Sequence, residues 1–197
     1  MRHPEARKVE IIVAVDAHGE WAAGLAKQLI ATGNPPPSDL DNAQRLALAW
    51  ALKDCAIAAW NTAPSEVVVA SDLLIGMAAA TDGASTVTSI VEIHAISEWV
   101  AGVAELTRGK MSRAISHLDR ASQLFRAGGK ADHAAHAQIP KIMALSMLGQ
   151  PSQAAESGRQ TMRELVNTGN LLAAGKVCQN LGVLHYRQTD HGQALSS

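Results

Sequence analysis

A 40-residue period limits what this chain can fold into more than any other feature. Ala114, Ala154 and Ala194 stand 40 apart. Gly109 and Gly149 keep the same spacing, as do Gly129 and Gly169, while Gly102 and Gly182 lie two periods apart. Val103, Met143 and Val183 hold an apolar residue in register, and Ala134 matches Ala174. Helix-sized segments lie between the turn glycines. A unit of helix, turn and helix cannot bury its apolar face alone, so repeated units must stack on their neighbours. The expected fold is all-α, an α-solenoid of antiparallel helix pairs in a right-handed superhelix.

Composition supports helices and removes several function classes. Apolar residues make up 47% of the 197, which permits a real core, but aromatics only 3%. Abundant Ala favours closely packed helices over a sheet, where β-branched and aromatic residues dominate. The net charge of −1, with no long run of one sign, builds no basic surface for nucleic acid. No apolar run reaches membrane-spanning length, and Met1-Arg2-His3-Pro4 does not open a signal peptide. Cys55 and Cys178 are too few for a disulfide framework and read as reduced core thiols of a cytoplasmic protein.

Taken in order, residues 1–37 form a helical or capping segment and a Pro-rich loop. Val9–Val15 is β-branched enough for a strand, but no partner strand follows, so a short helix ending near Val15 is preferred. A second helix spans Glu20 to Ala31, and Gly33 to Ser38 is the loop. Residues 38–84 read as a degenerate leading helix pair. Asp41 caps a helix to about Trp60, and Pro64 opens the next, which runs to about Ala80. The repeats occupy 85–129, 130–169 and a truncated 170–197. Pro140 should kink the first helix of the second unit. The third unit runs from Leu171 to Gln188, turns at Thr189-Asp190, and begins a further helix before Ser197, as a fragment of a longer chain would. Val177, Leu181, Leu184 and Leu195 then lack a partner helix and are expected to form a partly exposed apolar patch.

Glu98–Ala104, Ile139–Leu145 and Ala173–Gly182 resemble tetratricopeptide repeats of a long variety. They are similar to the arrays preceding CHAT (caspase-like) peptidase domains in large bacterial proteins, and to MalT-like regulators. The usual helix aromatics are replaced by Glu105, Leu145 and His185, and by Leu118 and Gly158; the closing Pro is replaced by Arg126 and Val166. The resemblance implies a concave groove lined by the first helix of each unit. Carried over, its groove residues are Trp99 and Val103; His136, Ile139, Met143 and Ser146; and Lys176, Gln179, Val183, Tyr186 and Arg187. Lys176, Tyr186 and Arg187 suit a peptide or acidic partner.

Candidate chemistry is sparse. His133 and His136 share a helical face, but a metal site needs about three or four ligands. Cys178 and His185 sit two helical turns apart, roughly 10 Å at 1.5 Å per residue, against the about 3 Å a nucleophile and base require. Asp16 reads as a turn or cap, and Gly128-Gly129-Lys130 as a helix stop. No catalytic residue, metal or cofactor is expected. The expected function is a non-catalytic scaffold binding a protein or peptide partner, or another domain of its own parent, without nucleic acid or membrane, and with self-association possible at its C-terminal edge. The alternatives are a ligand-sensing repeat region of a regulator and an accessory region of a CHAT-type peptidase whose catalytic domain lies elsewhere.

Overall fold

Gly109, Gly129, Gly149 and Gly169 recur at even spacing, and each holds a left-handed backbone with φ of 70–80°. A Cβ would crowd that conformation, so glycine is the residue that permits it. Each glycine N–H donates to the carbonyl three residues back at 3.0 Å. Each following residue donates to the carbonyl five back at 2.8–3.0 Å. This pair of bonds satisfies the last carbonyls of one helix, and the second donor opens the next. The period seen in the sequence is thus two equal halves closed by the same main-chain turn.

The computed structural model describes residues 19–80 and 87–194, with side chains as far as Val183. Its helices are α1 (19–32), α2 (Asn42–Ala59), α3 (Pro64–Ala79), α4 (Val87–Thr107), α5 (Met111–Ala127), α6 (Ala131–His136), α7 (Ile139–Met147), α8 (Pro151–Asn167) and α9 (Leu171–Ala194). Every regular element among the described residues is α-helical. The chain divides into two compact units, Met1–Val100 and Ala101–Ser197, with the boundary inside α4.

In the first unit, α1 buries Ala22, Ala26, Leu29 and Ile30, matching the helix expected there. Asp41 caps α2 as its sequence position implies: it accepts from the Gln44 N–H at 2.8 Å, and the Gln44 side chain accepts from the Asp41 N–H at 3.0 Å. Leu48, Ala49, Leu52, Ala56 and Ala59 line the buried stripe of α2. Pro64 occupies the first turn of α3, where its missing N–H costs no helical bond. The earlier segment around Val9–Val15 lies outside the described residues.

In the second unit, α4 and α5 cross at Gly102. A Cβ built there would come within 2.7 Å of Leu118 Cγ and 3.3 Å of the Ala114 carbonyl. Ala114 and Leu118 are fully buried, as is Ala154 one period on, so the register read from the alanines holds. At the next crossing the sizes exchange. Ile142 replaces Gly102 in register and Gly158 replaces Leu118. The space beside Gly158 is taken by Leu181 of α9, 2.6 Å from a built Cβ. Ala135, Ile142, Leu145, Ala154, Leu165, Ala173 and Val177 complete one core, each large member contributing about 1.5–3 kcal/mol.

Three expectations are corrected. The kink does not fall at Pro140 itself. The helix breaks at Ala137-Gln138, and Pro140 sits in the first turn of α7. Pro140 can neither donate to the His136 carbonyl nor let it approach, so the interruption comes earlier. No turn forms at Thr189-Asp190; α9 runs through both to Ala194. Position 189 continues the turn-glycine series, but a β-branched Thr disfavours the positive φ that the other turns use. Val177 is fully buried in the core rather than exposed, because α8 covers it, and Leu181 packs on Gly158. Leu184 and Leu195 lie outside the described side chains.

Candidate functional site: the outward faces of α7 and α9

The residues carried over to the groove divide sharply by helix. Trp99 and Val103 of α4 are core residues, at 3% and 0% exposed. One period on, Met143 is 38% exposed, and one further Val183 is 50% exposed. The same register position therefore opens progressively along the chain. His136, Ile139 and Ser146 are half-buried, while Lys176 and Gln179 are exposed. Tyr186 and Arg187 belong to the α9 backbone, but their side chains lie outside the described residues.

Around Trp99 the α4 face is covered by α2. Trp50 Nε1 donates to Glu92 Oε1 at 2.9 Å. Lys53 Nζ lies 5.1 Å from the Trp50 ring and 5.2 Å from the Trp99 ring, with Asp54 as its ion-pair partner. Two aromatic faces and a carboxylate offset the partial desolvation of this ammonium. Pairings between helices so far apart in the chain leave no local signature, so repeat position alone points Trp99 outward.

On α7 and α9 the face stays open. These helices neighbour one another in the second unit, and Lys176, Gln179 and Val183 recur along α9 at helical spacing. Their setting is fixed from beneath by Asn170. Its Oδ1 accepts from the Ala173 N–H at 3.1 Å, capping α9, and its Nδ2 donates to both Asp132 oxygens at 3.0 and 3.2 Å. Thr168 Oγ1 adds a bond of 3.2 Å to the same carboxylate. The preceding turns carry Lys110, Lys130 and Gln150 at this position. Asn170 alone among them is a strong capping residue, a signal that sequence inspection could have used.

A second open region, a cleft of about 400 Å³, lies between α5 and α8 with α7 at its floor. Lys141 Nζ pairs with Asp119 at 2.6 Å, and Arg126 with Glu164 at 2.7 Å. Gln138 Nε2 donates to the Leu118 carbonyl at 2.9 Å. That carbonyl is the usual acceptor for a Ser122 hydroxyl one turn on, and Ser122 Oγ is buried without a hydrogen-bond partner.

His133 packs against the Phe125 ring at 5.6 Å between centroids. Among the described residues no group of three or more His, Cys, Asp or Glu is placed to hold a metal ion. Cys178 is exposed, not a core thiol, with its Sγ 3.3 Å from Met162 Sδ; the His185 side chain and Asp16 lie outside the described residues. Cys55 is half-buried, and burial pushes its thiol above the usual range. Arg159 and Arg163 beside Glu156 hold its carboxyl below the usual range. Among the described residues no helix is long and apolar enough to cross a membrane. Comparison with protein-family models, characterised proteins and solved structures returns no match.

Proposed function

We propose that the chain is a non-catalytic helical-repeat scaffold of the tetratricopeptide type, its helix pairs stacked as a right-handed α-solenoid, which binds a peptide segment of a protein partner across α7 and α9. One observation carries the reading: the groove position that is buried at Val103 is apolar and exposed at Met143 and Val183, beside the exposed Lys176 and Gln179. Apolar anchors flanked by a cation and an amide suit a segment with branched side chains and a carboxylate. A cytoplasmic setting fits the same reading, as does a place beside a CHAT-type peptidase domain.

Selection of displayed peptides on the immobilised chain tests this. Peptides are expected to carry apolar residues spaced around an acidic one. They should lose binding to Lys176→Glu and Val183→Ser while circular dichroism and melting stay unchanged. Peptides that bind both variants as tightly as the parent chain would refute the assignment. The polar cleft, with its unpaired Ser122 hydroxyl, favours a second reading as a repeat region sensing a small polar ligand. Thermal-shift screening of metabolites against Ser122→Ala separates the two, since a peptide on α7 and α9 is indifferent to that change.

A further inference from the structure

We propose that the apolar groove between α1 and α2 receives the apolar turn between α8 and α9 of a second copy, so that the chain associates head to tail. The groove has a volume of about 680 Å³. Ala23, Leu46, Ala47, Trp50, Ala51 and Ala58 line it, with Lys27 and Asp54 at its edge. A wall of alanines with one indole leaves room for branched side chains. The α8–α9 turn presents such side chains. Val166 precedes it at 50% exposed, and Leu171 and Leu172 follow it at 68% and 77% exposed. These two leucines are the most exposed large apolar residues among those described.

Charge selects a second copy as the occupant. The first unit carries 6 Lys and Arg against 12 Asp and Glu, a net of −6, and the second 11 against 6, a net of +5. Glu20 is exposed beside the groove, Asp54 at its edge pairs with Lys53, and Lys27 is the cation at the same edge, while Lys176 follows Leu172 by one turn. Asp132, the carboxylate beside the turn, is half-buried and already accepts from Asn170 and Thr168. An acidic surface with an apolar groove and a basic surface with apolar knobs are complementary and different. Their pairing is heterologous, the groove of one copy taking the knob of another. Lys176 is shared with the proposed peptide face, but the groove and the exposed leucines stand apart from that reading.

Sedimentation equilibrium of the full chain tests it. The average mass should rise above 20.7 kDa with concentration, and less so at high salt, because screening weakens the attraction of exposed charges. Ala47→Glu should disable the groove and Leu172→Glu the knob, each leaving a monomer with unchanged circular dichroism. An equimolar mixture of the two variants should form a one-to-one dimer, since one supplies an intact knob and the other an intact groove. If Ala47→Glu disturbs the fold, Ala58→Glu at an exposed groove position replaces it. A parent chain that stays monomeric throughout, or a variant mixture that does, overturns the proposal. The latter would mean a symmetric interface or another occupant.

Discussion

Gly102 and Gly182 occupy the same register position two periods apart, yet replacing each with alanine should move stability in opposite directions. At Gly102 the new methyl meets Leu118 Cγ at 2.7 Å, Leu118 Cδ2 at 2.8 Å and the Ala114 carbonyl at 3.3 Å. Leu118 is fully buried and cannot swing into solvent, and the carbonyl belongs to the backbone of α5. Overpacking of this kind costs about 1–3 kcal/mol. The better helix propensity of alanine returns about 1 kcal/mol. With two contacts well inside van der Waals distance, the steric cost lies near its upper end, and Gly102→Ala should be about 1–2 kcal/mol less stable. At Gly182 a methyl meets no described atom within 4 Å, so only propensity acts and Gly182→Ala should gain about 0.5–1 kcal/mol. Urea unfolding followed by circular dichroism, extrapolated linearly, measures both. A Gly102→Ala variant as stable as the parent chain would refute the close crossing of α4 and α5.

Ala154→Leu overpacks a fully buried site and should lower stability by about 1–3 kcal/mol in the same urea assay. Asn170→Ala removes the α9 cap and its bonds to Asp132, costing about 1–2 kcal/mol by thermal melting. Asn170→Asp keeps the cap acceptor but sets a second carboxylate against Asp132, so its melting temperature should recover as pH falls and the pair takes up a proton. In a thiol-titration time course Cys178 should react first and Cys55 slowly, because Cys55 is half-buried and its raised pKa leaves less thiolate at neutral pH.

What could be read from the sequence was what main-chain geometry dictates locally. The turn glycines were legible because a left-handed residue has few substitutes, and the Asp41 cap because its partner Gln44 stands three residues on. The buried Ala114 and Ala154 followed from their spacing. Closure of the α4 face was not legible, since it depends on Trp50 and Lys53 arriving from another helix. The fate of α9 was misread from the repeat itself: the period called for a turn near residue 189, but the residue there is Thr. Register predicted where a turn belongs, and residue type decided whether it formed. At the candidate site, register could not tell the buried Trp99 from the exposed Gln179, because exposure depends on what covers each face.

The main-chain turns at Gly109, Gly129, Gly149 and Gly169 also restrict how such a chain can change length. Each turn is closed by backbone bonds, so the spacing between turns constrains the fold more than most identities within it. One residue inserted into α5 would rotate everything beyond it by about 100° and advance it by about 1.5 Å. Leu118 would leave Gly102, and no later turn could restore the phase. A block of one full period inserted between two turns returns every helix to the face it left. Single insertions should therefore be poorly tolerated between Gly102 and Val183, while whole-unit duplications and deletions are open to the chain, which can change length only in steps of that size.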